Sequence, residues 1–571
     1  MNCSIRFKLT TVALLVGSAM NANAALYEVV EVKVPTHIQN LISANYTDPS
    51  RYDVYGVAIT QGDVKEKDAL GFFSGNVDRE ANKGLMVAAA ETRQSVDGVS
   101  YREELPFAMD ATFGYIQEFD DFERYCYNEL RYSTCETWAS IHWAPWSREL
   151  NGNTSSNSLA YVEGDASAYH NEMNNVINSL TELAQPVGNQ SIAGETRNRV
   201  VAPISPTDVS SFYQSRAWKT DGLFTVGSVS RKASNEYGTH HTSKAAIWDE
   251  TKTVVEVPWL SDVPAKDGER LAQGSMRDLV VDSENNVIYG VGYNTWRDDN
   301  YINATVFVGI LKEGTDAKSI ENYEWKNVLV NDAQQLIGDD IVHTNSRLTD
   351  VNKNFVAIGE AKRSGEYLMP TGSAPNRLFI VDDVTKSTVS AFYPTDGIFF
   401  NGAGGKMGGI NAYNEIVGQV DAEKTREDDG KPRRKRGFIY PYSPNGATSE
   451  RAETLFEGKA WLLDNLTNGG EYSETNNEFR IIDATSINDA GVISATALKC
   501  EGGYDTTAHN SYCGEGSQKE SVVAVKLIPI ANANASNINT RPVEKASAVR
   551  NGAGLGWLAL TLIGLVGFRR K

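Results

Sequence analysis

The chain is 571 residues long, 41% hydrophobic and 22% charged. That is an ordinary globular balance, with room for about two to four domains or one large repeat array. Its 54 basic and 73 acidic residues give a formal net charge of −19. Such a surface repels phosphate backbones and excludes nucleic acid as a ready partner. Forty-eight Gly, 25 Tyr and 10 Trp favour turns and strands over long helices.

The first 24 residues read as a signal peptide. Arg6 and Lys8 precede the apolar run Leu9–Met20, and Ala22-Asn23-Ala24 supplies small residues for cleavage between Ala24 and Ala25. The run is too short for a spanning anchor. Export removes Cys3 and leaves Cys126 with Cys135 and Cys500 with Cys513, which in an oxidising compartment read as two local disulfides. None of these pairs has C-x-x-C spacing, so no metal centre is expected from them.

Tyr27–Val34 alternates as a first strand, with Tyr27, Val29 and Glu31 on one face and Val30 and Val32 as the apolar pair turned inward. Tyr55–Ile59, Thr60–Asp63 and Ala69–Phe73 read as strand, turn and strand, with Gln61-Gly62-Asp63 as a degenerate first copy of a phrase met again below. Residues 76–185 read as an insertion holding Cys126, Cys135 and the tryptophans Trp138, Trp143 and Trp146. Those rings suit core filling better than stacking on a sugar. Met173, Val176, Ile177, Leu180 and Leu183 recur at three- and four-residue steps, which predicts an amphipathic helix over His170–Ala184, stopped by Pro186.

From Val187 onward, apolar stubs close repeatedly on glycine, at Gly194, Gly227, Gly290, Gly359 and Gly418. Most are followed by a second apolar run, such as Ala245–Trp248, Leu378–Val381 or Gly437–Tyr440. Polar turns precede the later stubs: Val281–Gly290, Val351–Gly359, Ile410–Gly418 and Ile487–Ile493. Successive closing positions Gly290, Gly359, Gly418 and Ala495 lie 69, 59 and 77 residues apart. Asn and Asp tolerate left-handed backbone and bond their own chain, so these phrases read as hairpin turns. Each unit has a sheet face it cannot bury alone, and stacking units in a ring solves that. The expected fold is therefore all-β over residues 25–530: a β-propeller of about six to eight blades, with the helical, disulfide-bearing insertion. Ile487–Ile493 then belongs to the last unit, stapled by Cys500–Cys513 where the array closes. The charged stretch Glu423–Arg436 reads as a solvated loop tip. Residues 531–551, rich in Ala, Asn and Ser, read as a flexible linker. Beyond it stand Gly552-Ala553-Gly554, the apolar run Leu555–Phe568 and the basic end Arg569-Arg570-Lys571, a tail of marginal length for a membrane anchor.

The phrase at Ile410–Gly418 with Gly437–Tyr440, and at Val351–Gly359 with Leu378–Val381, resembles the HAF-type repeats of bacterial exported proteins. The third copy departs from the pattern at Ser494-Ala495. The tail resembles the GlyGly-type sorting signals of Gram-negative bacteria, with Gly-Ala-Gly in place of Gly-Gly. That resemblance implies processing by a rhomboid-type intramembrane protease after passage through the export machinery. Trp461–Gly470, Phe479–Thr485 and Ala497–Cys500 resemble the domain-of-unknown-function family 3466 over most of the mature chain. The family resemblance implies an exported β-repeat protein and carries no activity, catalytic residue or cofactor with it.

Catalytic motifs are missing. There is no G-x-S-x-G and no H-E-x-x-H. Gly402–Gly409 lacks phosphate-loop spacing and reads as a flexible approach to Ile410. His240-His241 is the single adjacent histidine pair, and on a strand its rings point to opposite faces. Asp282, Glu284 and Asn286, and Asp350, Asn352 and Asn354, have the alternating oxygens of a calcium loop but lack its central Gly and closing Glu. No cofactor is expected beyond that structural calcium. The acidic pairs Asp120/Asp121 and Asp339/Asp340 are the candidates for an acidic site, though nothing in their surroundings selects them. The reading is an exported binding or scaffold module in the periplasm, at the cell surface or in the medium. The alternative is an exported hydrolase or lyase with acidic residues converging in the propeller channel, decided by whether two carboxylates or a histidine face each other there with shifted pKa values.

Overall fold

The computed structural model describes residues 25–544, apart from internal segments of which 94–118, 145–157 and 363–375 are the longest. Apart from two short two-stranded hairpins, the described strands form seven blades, antiparallel except where Val389–Ser390 joins the outer edge of blade IV in parallel. Blade I holds Asp53–Ile59, Ala88–Arg93 and Ser158–Val162, and blade II holds Asn175–Leu180, Pro186–Gln190 and Arg199–Val201. Blade III runs Gln214–Thr220, Phe224–Asn235, Gly238–Asp249 and Val254–Glu256; blade IV runs Gly274–Asp282, Val287–Trp296, Tyr301–Leu311 and Tyr323–Asn331. Blade V holds Arg347–Val351, Ala357–Ala361 and Arg377–Val381, and blade VI holds Gly405–Ile410, Glu415–Asp421, Lys435–Pro441 and Trp461–Leu462. Blade VII is Phe479–Ile487, Ile493–Lys499 and Ser521–Pro529, completed by the first strand of the protein, Tyr27–Glu31. The leading strands of successive blades touch in a closed circle, with blade VII against blade I.

The core is divided among the seams between blades. Val226 and Ile247 of blade III meet Met276 and Phe307 of blade IV, and Val306 and Val291 of blade IV meet Leu348 and Phe379 of blade V. Blades V and VI pack Ile358 and Ile380 on Ile416 and Phe438. A central strand is thus buried on both faces, which is why the stubs read as continuous apolar runs rather than alternating ones. The first strand shows the same. Tyr27 and Val29 are buried in the seam between blades VI and VII, whereas Val32 and part of Val30 face blade I. The expectation that only Val30 and Val32 turn inward is corrected, because a ring has no outer sheet face at that position.

Ring closure comes from backbone pairing of the two ends, with Tyr27 opposite Pro529 and Glu31 opposite Val525. The Cys500–Cys513 disulfide spans the loop between the second and third strands of that closing blade. Residues 531–544 are not a linker. Asn532 donates its backbone N–H to Phe73, and Asn534 caps a short turn over Ala535–Asn537. The buried Arg541 donates to the carbonyls of Asp464 and Thr507, and Glu544 exchanges hydrogen bonds with Asn510.

Three further expectations are corrected. The helix over His170–Ala184 is absent: Asn175–Leu180 is the leading strand of blade II, turning through Ala184 at φ 59° into Pro186–Gln190. Helical spacing arose because a bulge between Ile177 and Ser179 shifts the strand's two-residue alternation. Ala69–Phe73 is not a strand but contains the short 3-10 turn Gly71–Phe73, and Asp53–Ile59 pairs instead with Ala88–Arg93. Residues 76–185 therefore supply strands to blades I and II, and the excursion narrows to 94–157. Within it lie the helix Phe119–Tyr125, the Cys126–Cys135 disulfide, and Trp138 and Trp143 against buried Phe122. Trp146 lies outside the described residues.

Candidate functional site on the inner ring

Each blade's leading strand carries a β-bulge at an equivalent place, displacing the register just before Ala58, Ser179, Lys219, Asp278, Asp350, Gly409 and Ser486. A bulge pushes one carbonyl toward the second strand. In blades II to VI the residue facing that carbonyl is Gly188, Gly227, Gly292, Gly359 or Gly418, and a Cβ there would collide with it. This explains the closing glycines of the sequence and corrects two of them. The equivalent in blade IV is Gly292 rather than Gly290, and the equivalent in blade II is Gly188, since Gly194 lies outside the described residues. The Gly402–Gly409 run is likewise not a flexible approach. Gly405–Ile410 is the leading strand of blade VI, and a Cβ on Gly408 would strike the Ala484 carbonyl of blade VII.

The bulges bring three ionisable groups together on blades III, IV and V. Lys219 Nζ lies 3.3 Å from Asp278 Oδ2 and 2.9 Å from Asp350 Oδ1, with its side chain 24% exposed. Asp278 also accepts from the N–H of Leu279 (2.7 Å) and of Val351 in the next blade (3.1 Å). Asp350 accepts from the N–H of Ile410, again one blade further on, at 2.9 Å. Burial, with Asp350 adding to it, pushes the Asp278 carboxyl well above its usual range despite Lys219. Burial works the same way on Asp350, but Lys219, the hydrogen bond from Asp278 and the Ile410 N–H outweigh it and hold that carboxyl low. Lys219 is raised, because its two carboxylates outweigh the desolvation that opposes its charge. The two carboxyls are thus pushed in opposite directions beside the Lys219 ammonium.

The repeated polar phrase forms a second construction, at the turn between first and second strands. Asn352 Oδ1 accepts from the N–H groups of Asn354 and Val356, and its Nδ2 donates to the Asn411 carbonyl of blade VI at 2.8 Å. Asn411 repeats this, closing its own turn through Tyr413 and Glu415 and donating to the Asn488 carbonyl of blade VII at 3.2 Å. Asn488 accepts from Val492 and donates to Thr60 and Leu85 of the segment linking the first two strands of blade I, at 2.9 and 2.8 Å. Each asparagine shapes its own turn and ties its blade to the next. Beside this row, Arg451 grips Glu415 through both carboxylate oxygens, at 2.6 and 3.0 Å.

These bonds redistribute the residues singled out in the sequence. The alternating side chains of Asp350, Asn352 and Asn354 do not converge: Asp350 accepts from Lys219, Asn352 Oδ1 closes its own turn, and Asn354 donates its Nδ2 to the Ala412 carbonyl, while the Asp282 carboxylate closes onto Asn285. Among the described residues, no three His, Cys, Asp or Glu gather as metal ligands. Asp120 is exposed on its helix, and the side chains of Asp121, Asp339, Asp340, His240 and His241 lie outside the description. The stretch Glu423–Arg436 is only partly a solvated tip, because Arg433 and Arg436 are buried against Asp421 and Asp464. Ala24 and the tail residues Gly552, Ala553, Gly554, Arg569 and Arg570 fall outside the described residues; Ala25 begins them and is buried. Sequence reasoning missed Lys219 and Asp278. Their one signal is a position directly after the bulge, visible only once the seven leading strands are aligned.

No curated protein matches the chain. Among solved structures, a glycosyl hydrolase from Bacteroides ovatus is similar at 11% identity, over 56% of this chain and 85% of that one, with a TM-score of 0.23. A structure described as a BT0996 complex with RGII is similar at 10% identity, over 58% of this chain and 90% of that one, again with a TM-score of 0.23. Likeness at that level says nothing about activity. Among the described residues no helix is long and apolar enough to cross a membrane. A family model matches residues 224–571, from the second strand of blade III to the end, and this protein belongs to the family of proteins of unknown function DUF3466.

Proposed function

We propose that this protein is an exported β-propeller acting at the cell envelope or surface as a binding or scaffold module. The observation that carries this reading is the state of the inner-ring carboxylates. All four oxygens of Asp278 and Asp350 are engaged by Lys219 or by backbone N–H groups, two of them from the following blade. Charges consumed in this way hold blades together. The leader from Arg6 to Ala24 and the two disulfides support passage through the export machinery. The tail from Gly552 supports processing by a rhomboid-type protease or anchorage in the membrane. Mass spectrometry of the protein from envelope and medium tests this, with an N-terminus at Ala25 and loss of the residues after Gly554 expected. A protein intact through Lys571 and confined to the inner membrane overturns it.

A second reading, an exported hydrolase or lyase, is favoured by one arrangement: Asp278 and Asp350 share Lys219 while burial pushes the first carboxyl up and Lys219 holds the second low, the kind of divergence that acid–base chemistry uses. The two readings part at Asp278→Asn. A catalytic acid can be replaced with little loss of stability, whereas a clamp cannot.

A further inference from the structure

Between blades IV and V, on the face that carries the turns between first and second strands, lies a groove of about 560 Å³. Its floor is the Tyr289 ring of blade IV set edge-on to the Phe355 ring of blade V, centroids 5.8 Å apart. Tyr289 is only 8% exposed, and its hydroxyl makes no hydrogen bond among the described residues. The rim carries Asp282, Asp382 and Asp383 against a single cation, Lys386. Asp382 and Asp383 each hold a protein partner on one oxygen, Tyr442 and Thr385 respectively, and leave the other oxygen open.

Phe355 is the second anomaly. It stands at φ 62°, in the turn position that Asn286, Asn414 and Gly491 fill in blades IV, VI and VII. A bulky side chain is disfavoured in that backbone region, where Asn and Gly are tolerated. Blade V therefore holds an aromatic ring where the repeat pattern places a small turn former, and that ring completes the groove.

We propose that this groove binds an organic ammonium ion, which takes its charge from the acidic rim and rests its alkyl chain and cationic edge on the two rings. An unpartnered phenol, open carboxylate oxygens and aromatic faces together match an ammonium group, which is all donor and is attracted to ring faces. Among the described residues no three acidic or imidazole groups gather as metal ligands. The rim carboxylates suit a cation whose charges are spaced along an alkyl backbone. The site rests on the binding-module reading and gives that module a ligand class.

Isothermal titration of the mature protein with spermidine at fixed ionic strength, with calcium as the comparison cation, tests the site. Saturable one-site binding is expected, weakened about tenfold by Asp383→Asn and severalfold by Tyr289→Phe, since each removes a bond to a charged group. Phe355→Asn is expected to fold normally, being the residue other blades use there, and to lose the same affinity. Glu182→Gln, exposed on the turn between the first two strands of blade II, removes an equal charge and is expected to change nothing. A titration that never saturates, that calcium reproduces, or that Glu182→Gln weakens as much as Asp383→Asn does, overturns the site. That outcome leaves the export and scaffold reading to its own test on the mature termini.

Discussion

Replacing Lys219 by Met keeps the aliphatic stem and removes the one cation between Asp278 and Asp350. Both carboxylates are nearly inaccessible, at 2% and 8% exposure, so solvent does not replace what Lys219 supplied. Breaking a buried pair from one side costs about 3–5 kcal/mol, and the partial exposure of Lys219 sets the expectation near the lower end. At ~2.1 cal/mol/K per residue, the entropy of unfolding for residues 25–544 is roughly 1.1 kcal/mol/K, so the melting temperature is expected to fall by about 3 °C. The pH dependence is the sharper signature. Asp278 already has a raised folded-state pKa, and a raised carboxyl contributes stability at low pH that disappears as pH rises through the folded value. Asp350, held low in the native protein, contributes in the opposite sense, with stability present above its unfolded pKa and lost as pH falls. Without Lys219 the Asp350 carboxyl joins Asp278 in preferring its proton. The deficit against the native protein should therefore be largest near pH ~8 and shrink toward pH ~4.5, close to ordinary carboxyl values. Differential scanning fluorimetry across that range is the assay. A variant as stable as the native protein, or a deficit independent of pH, refutes the clamp.

Asn488→Ala strips two buried donor contacts to the blade I segment and one turn-closing acceptor. It should cost about 2–4 kcal/mol, seen as a lower urea midpoint with amide exchange rising first at Thr60 and Val492. Replacing Cys500 and Cys513 together by Ser opens a loop with a sequence separation of 13, and the loss should be about 3 kcal/mol. That loop also receives Arg541 and Glu544, so elastase should cut after the exposed Val543 between them sooner in the double variant than in the oxidised native protein. Equal cleavage rates would mean that the C-terminal strap holds without it.

The polar phrases were legible because their chemistry is local. Asn352, Asn411 and Asn488 close turns with their own neighbours, so type and spacing alone identify them as turn residues. Their second role, donation to the next blade, joins residues far apart in the sequence and leaves no mark on local pattern. The error at His170–Ala184 has the same root. A bulge inside a strand buried on both faces removes the two-residue alternation by which strands are recognised, and Val176, Ile177 and Leu180 then imitate a helix. Lys219 and Asp278 were invisible for another reason, since a charged residue in an apolar strand reads as solvated until the opposing charge from the neighbouring blade is in place.

By itself the sequence determined the pairing of Cys126 with Cys135 and of Cys500 with Cys513, an all-β repeat and the turn that opens each later unit, because these follow from composition, residue type and short spacing. Tertiary structure alone decided the count of seven blades, the closure of the ring by Tyr27–Glu31 on Val525–Pro529, the place of Gly292 rather than Gly290 opposite its bulge, and the meeting of Lys219 with Asp278 and Asp350. Each of these depends on contacts between blades, and such contacts exist only once the leading strands stand in a closed circle.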